Sequence, residues 1–188
     1  MMDDQVKKAG LIILQGGTIL YPTDTIWGLG CDATNADAVQ KVFEIKQRPE
    51  KKSMLVLLDG TSMLSQYVER IPDHALKIIA EAVKPTTIIY PGARNFAPNL
   101  TGNDGSIGIR ITSDPFCSAL IGFTGKPIVS TSANLSGAPS PSGFRDIEVS
   151  IQLEVDYVVE WRKDKAGTSA SSTLLKIDLQ GRITVLRP

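Results

Sequence analysis

The chain of 188 residues is 42% hydrophobic and 21% charged, a balance that suits one folded domain with a sizeable core and excludes a disordered chain. Twenty basic side chains offset twenty acidic ones, so net charge does not mark a nucleic-acid binder, and any basic surface must be local. Two cysteines without a C-x-x-C pair and a single histidine argue against a disulfide framework, a multi-histidine metal site and Ser-His-Asp chemistry.

The acidic start, Met1-Met2-Asp3-Asp4, is unlike a signal peptide, and no apolar run approaches the roughly 18 residues of a membrane span. The cytoplasm is therefore the expected compartment. Asp4 to Gln15 has helical periodicity, with Val6, Gly10, Ile13 and Leu14 on one face and Gly16-Gly17 as its stop. A strand follows over Thr18 to Tyr21. After the polar break Pro22-Thr23-Asp24-Thr25, Ile26 to Cys31 has the pattern of a second strand thinned by glycines, which mark close approach of ligand or backbone. Gly28-Leu29-Gly30 with Ala33 mimics a dinucleotide fingerprint. That motif must open a helix at once, and the helix here starts later, with Thr34 or Asn35 as its cap.

From Asn35 to Gln47, an apolar stripe through Val39, Val42 and Phe43 ends on Lys46. Arg48, Lys51 and Lys52 follow around Pro49. The cluster suits either a phosphate clamp or a solvated charge run, and as a clamp its inward cations would be held there by an anionic ligand. Ser53 to Leu58 is a continuous apolar run expected as a strand buried on both faces. Helices fit Thr61 to Val68 and Asp73 to Val83; the second has Asp73 as its cap and carries His74. Thr86 to Tyr90 is the next strand. The loop from Pro91 to Gly105 is long enough to be functional or mobile.

Ser106 to Ile111 alternates strictly, with three isoleucines on one side and Ser106, Gly108 and Arg110 on the other. The second side places a hydroxyl, a gap and a guanidinium in a row, which suits either an anion site or a solvated sheet face. Asp114-Pro115 opens a helix running to about Phe123. Pro127 to Val129 is then a buried strand leading into Ser130, Thr131, Ser132, Asn134, Ser136, Ser140 and Ser142, without a charged residue as far as Gly143. Such a segment either lines a site above the carboxyl end of its strand or is a plain surface loop. Phe144 to Leu153 is a weak helix, Asp156 to Glu160 a strand, Arg162 to Ser171 a polar loop. Strands Ser172 to Ile177 and Arg182 to Leu186 end the chain. Helices alternate with strands apart from two hairpin-like pairs, so the expected architecture is one three-layer α/β domain over 1–188. It has a twisted mixed parallel/antiparallel sheet and helices on both faces.

Four segments stand together: Y-P-T-D-T-I-W-G-L-G, K-Q-R-P-E-K-K-S-M, S-I-G-I-R-I and S-T-S-A-N-L-S-G-A-P-S-P. In that order they resemble the YrdC-like family, the threonylcarbamoyl-AMP synthases, over essentially the whole chain. The resemblance implies a YrdC-like fold and a nucleotidyltransferase that joins L-threonine, bicarbonate or CO2, and ATP, usually with Mg2+, into threonylcarbamoyl-AMP and pyrophosphate. The product serves threonylcarbamoyladenosine modification of tRNA through a downstream threonylcarbamoyl transferase complex. It further implies that Thr25, Arg110, Ser130 and Ser172 hold threonine. Lys46, Arg48, Lys52, Ser106, Ser132, Asn134, Ser140 and Arg187 would hold ATP, with Lys46 and Arg48 as the catalytic cations. No resident metal ligands are implied. The chain departs from many members at Leu57, where they have His, at Lys52, where they have Asn, and at Ala170-Ser171-Ser172-Thr173, where they have Glu-Ser-Thr. It is also expected to lack the additional carboxyl-terminal domain of the longer members. Two alternatives share the fold: a module for double-stranded RNA or tRNA, and an inactive paralogue.

Overall fold

The computed structural model describes residues 1–48, 54–164 and 171–188. In chain order the elements are α1 (Met2–Leu14), β1 (Ile19–Tyr21), β2 (Gly28–Gly30), α2 (Ala36–Ile45), β3 (Leu55–Leu58), α3 (Thr61–Tyr67), α4 (Asp73–Glu81), β4 (Thr86–Tyr90), β5 (Ile107–Ile111), α5 (Pro115–Thr124), β6 (Ile128–Ser132), α6 (Val149–Glu154), β7 (Tyr157–Val158), β8 (Thr173–Ile177) and β9 (Ile183–Arg187). Among the described residues no helix is long and apolar enough to cross a membrane.

The strands form one mixed sheet in the order β7-β1-β2-β6-β3-β5-β4-β8-β9. The pairs β1/β7, β3/β5 and β4/β8 are parallel and the others antiparallel, including the hairpins β1/β2 and β8/β9. Side chains alternate across the sheet, and the two faces have different fates. On one face Leu29, Val56, Val129, Ile109, Ile88 and Leu175 join α2, α3, α4 and α6 in a continuous core. On the other, Ile19, Tyr21, Leu57 and Ile128 pack under α1 and α5, while β5, β4, β8 and β9 contribute no residue to that cluster. Helices thus cover one face along the sheet and only part of the other.

Caps explain several boundaries. Asn35 accepts hydrogen bonds from the backbone N–H groups of Asp37 and Ala38 at 3.0 and 3.1 Å and starts α2. Asp114 accepts from Phe116 and Cys117 at 2.9 and 3.1 Å, with Pro115 at the first helical position. Gly125, at φ 64°, ends α5 in the left-handed region. Asp73 does not cap α4: it lies inside the helix, Pro72 precedes it, and no side-chain cap bond forms. The weak helix from Phe144 breaks into a 3-10 turn, Phe144–Asp146, and α6. There the Asp146 carboxylate accepts from the N–H groups of Ser142 and Gly143 and holds a turn in place of a longer helix.

The loop from 91 to 105 is a structural cover. Its backbone bonds to Tyr67, Ala33 and itself, Asn99 Nδ2 donates to the Ala36 carbonyl at 3.0 Å, and Leu100 is fully buried. The glycines of β2 act as the strand pattern required. A Cβ at Gly30 would press into the Val129 carbonyl oxygen of β6 and come within 2.8 Å of Tyr21 Cε1. Gly30→Ala is therefore expected to cost about 2–3 kcal/mol through overpacking in urea melts. Gly122→Ala, on the exposed side of α5 with nothing near the added carbon, is expected to be neutral or to gain about 0.5–1 kcal/mol.

Candidate functional site

The uncovered part of the second sheet face forms a cavity of about 330 Å3, in the size range of small-molecule sites. Its floor is built by register. Leu55 of β3, Gly108 of β5 and Ile89 of β4 lie side by side, and Arg110 and Thr87 come from the same face one pleat along. Gly108 keeps the floor open: a Cβ there would meet Thr87, Leu55 and Ile89 only at ordinary contact distances of 3.5–3.9 Å, so the gap is free space over the strands. The wall comes from Trp27 and Gly28 and from Ser130, Thr131 and Ser132 of β6. The cavity lies over the sheet face and not above the carboxyl end of β6, because β6 runs antiparallel to both neighbours and the sheet has no common carboxyl edge there.

The sequence-derived residues fall into groups. Thr25, Arg110, Ser130 and Ser172 all line the cavity, as do Arg48, Ser132, Ser140 and Arg187. Lys46, Asn134 and Ser106 do not line it, and Lys52 lies outside the described residues. Ser106 precedes β5, so strict alternation ends before it; its N–H and hydroxyl both donate to Asp104 Oδ1, at 3.1 and 2.6 Å. Lys46, at the end of α2, is 2% exposed, and its ammonium donates to the Ser132 carbonyl at 2.5 Å and the Asn134 carbonyl at 2.6 Å. The Ser136 N–H returns a bond to the Lys46 carbonyl at 2.9 Å. Asn134 Nδ2 closes the same loop on Leu135 and Ala138. Backbone carbonyls of the serine-rich loop satisfy Lys46 without an anion, which replaces the expectation that a ligand alone would hold it inward.

Arg110 is 3% exposed. Its Nη2 lies 2.9 Å from Asp24 Oδ1, and its Nη1 donates to Thr25 Oγ1 at 3.4 Å. A tight polar turn delivers those partners: Thr23 Oγ1 donates to the Ile26 carbonyl at 2.7 Å and accepts from the Thr25 N–H at 3.1 Å. Burial raises the Asp24 pKa, Arg110 opposes that, and Asp114 adds to it. Burial lowers Arg48, and it lowers Lys46 to about 8 with help from the like charge on Arg48. On the far side the Ser172 and Thr87 hydroxyls lie 2.8 Å apart, and Arg187 Nε donates to the Ser172 carbonyl at 3.0 Å. Thr87 and Asp24 escaped the sequence reading. Thr87 is marked only by sharing the phase of Arg110 once β4 and β5 are paired, and Asp24 only by standing in the Thr23-Asp24-Thr25 break.

The lining includes Arg48, Arg110 and Arg187 but no carboxylate among the described residues. This defines a small-molecule-binding α/β domain suited to anionic ligands. The Sua5/YciO/YrdC model, described as "Telomere recombination", matches residues 11–188, and the chain belongs to that family. A protein of Pseudoalteromonas translucida named threonylcarbamoyl-AMP synthase is 34% identical, covering 97% of this chain and 98% of its own. One of the same name from Xanthomonas axonopodis pv. citri is 32% identical over 95% of both. Among solved structures, E. coli YciO superposes with a TM-score of 0.81 at 25% identity, over 98% of this chain and 89% of its own. P. abyssi Sua5 complexed with L-threonine shares the fold with a TM-score of 0.89 at 24% identity; the match spans 99% of this chain and 54% of that protein.

Replacing Lys46 by Met should strip one buried and one part-buried carbonyl of their donor and lower stability by about 2–4 kcal/mol. The folded pKa near 8 lies below the ordinary 10.5, so between those values the unfolded chain binds more protons and stability from Lys46 rises with pH. The gap between wild type and Lys46→Met should accordingly widen from pH 8 toward pH 10.5 in denaturant melts.

Proposed function

We propose that this chain is an L-threonylcarbamoyladenylate synthase, forming threonylcarbamoyl-AMP and pyrophosphate from L-threonine, bicarbonate or CO2, and ATP for threonylcarbamoyladenosine modification of tRNA. The observation that carries the reading is a buried arginine at one side of a cavity whose remaining walls offer hydroxyls and two more arginines, with no carboxylate lining it among the described residues. In this reading Arg110 takes the carboxylate of threonine, with Thr25, Ser130 and Ser172 around it. Arg48, Ser132, Ser140 and Arg187 take the nucleotide. The threonyl carbamate oxygen attacks the α-phosphorus of ATP, a P–O bond forms, and the bond to pyrophosphate breaks. Arginines beside the phosphates stabilise the charge that develops, and alignment of three substrates in one cavity supplies much of the rest.

Lys46 and Asn134 act here by holding the serine-rich loop, so Arg48 is the one of the expected catalytic cations that reaches the nucleotide directly. Mg2+ enters as part of the ATP substrate. We also infer a cytoplasmic location, in keeping with two free, buried thiols, and delivery of the adenylate to a threonylcarbamoyl transferase acting on tRNA.

Pyrophosphate release from ATP, with threonine and bicarbonate omitted in turn, tests the reading. Release must require both; release that needs neither identifies another reaction. Direct RNA binding is separated by salt: affinity for RNA falls steeply as salt rises, while small-ligand turnover responds little. Arg110→Lys keeps the charge opposite Asp24 but loses the two-pronged geometry, so the KM for threonine should rise about 10–100-fold with the KM for ATP nearly unchanged.

A further inference from the structure

We propose that Asp24 is the resident counter-ion of Arg110 and the group that takes the proton from the threonine ammonium when the substrate carboxylate claims that arginine. The inference rests on the synthase reading and adds a residue to it.

Arg110 and Asp24 form one buried ion pair, at 2.9 Å, with side chains 3% and 12% exposed. Thr23, Thr25 and Arg110 line the cavity, and Asp24, 12% exposed, stands between the two threonines just behind that lining, against the guanidinium. An α-amino acid docked through its carboxylate on this guanidinium carries its ammonium two bonds away, next to the same turn. Its arrival places two carboxylates on one buried cation, and like charges that share a site cannot both stay ionised cheaply. Charge also faces Asp24 from the other packed elements. Asp114, at the start of α5, is ion-paired with Arg162 at 2.5 Å. The Cys117 thiol of α5 and the Tyr21 phenol of β1 are both pushed up by burial and remain neutral. Among the described residues, Arg110 is the cation whose charge opposes the rise that burial causes at Asp24.

The chemistry needs this proton moved. The nitrogen cannot attack carbon while it is an ammonium. Transfer to Asp24 leaves a neutral amine, a neutral Asp24 and a single Arg110–carboxylate pair, so the buried site holds one ion pair before and after. The amine then forms its C–N bond with bicarbonate, whose hydroxyl leaves with one N–H proton as water, giving the carbamate. Asp24 returns its proton to solvent when product leaves and Arg110 reclaims it.

The test is Asp24→Asn, with threonine affinity by calorimetry, pyrophosphate release against pH, and melting temperature with and without ATP. With the competing carboxylate gone, threonine should bind at least as tightly as to the wild type. Turnover near pH 7 should fall about 100-fold, the scale of a lost general base, and climb about tenfold per pH unit as the free amine appears, while the wild-type profile stays flat. A residue that merely orients Arg110 would weaken threonine binding and show no alkaline recovery. That result, or turnover within about threefold of wild type, overturns the proposal. If Asp24→Asn does not fold, Asp24→Glu keeps the base: a flat profile at reduced rate supports the proposal, and a steep alkaline rise overturns it. Wild-type protein that releases no pyrophosphate with threonine and bicarbonate defeats the synthase reading itself, a failure visible before any variant is made.

Discussion

Everything at the site depends on incomplete coverage of one sheet face. The sheet has apolar side chains on its first face from β2 to β8, and α2, α3, α4 and α6 bury them. Among the described residues the second face has helical cover only from α1 and α5, over the β1, β6 and β3 side. A bare apolar sheet face in water would be an association hazard. The chain limits it by changing composition: under the helices that face presents Ile19, Tyr21, Leu57 and Ile128, and in the open it breaks up Leu55, Ile89 and Leu174 with Ser130, Gly108, Arg110, Thr87 and Ser172. The cavity and the polarity of its lining are two consequences of one geometric fact.

Placing cations at the border between covered and open sheet is costly unless each has partners. Arg110 has Asp24 and the Thr25 hydroxyl. Lys46 has two carbonyls of the loop that forms the cavity wall. The two solutions differ in kind. A carboxylate partner leaves a neutral pair that an incoming carboxylate can exchange with, whereas carbonyl partners fix the loop to α2 whether or not a ligand is present. One cation is thereby suited to substrate and the other to architecture, although both stood in the sequence as basic residues near polar segments.

Much of this was legible in the linear chain. The period-2 pattern of Ser106 to Ile111 placed Arg110 and Gly108 on one face, the Asn35 and Asp114-Pro115 caps set two helix starts, and the late start of α2 removed the dinucleotide reading. These are local properties, decided by dihedral preferences and side-chain alternation within a few residues. Where local signals competed, they were less decisive. Asp73 gave way to Pro72 as the residue before α4, and the segment after Gly143 made a turn through Asp146 in place of a longer helix.

The sequence by itself determined that the chain is an α/β protein with a mixed sheet, that its chemistry rests on arginines, a lysine and hydroxyls, and that it resembles one family throughout. Only the tertiary structure decided which of those groups meet. Thr87 faces Ser172 because β4 pairs in parallel with β8, and Asp24 reaches Arg110 across a sequence separation that no local pattern spans. Lys46 turned to the loop's carbonyls because the last turn of α2 ends beneath β6. Strand order and register are properties of the packed whole, since each pairing is stabilised by the faces it buries, and a chain read one window at a time carries no record of them.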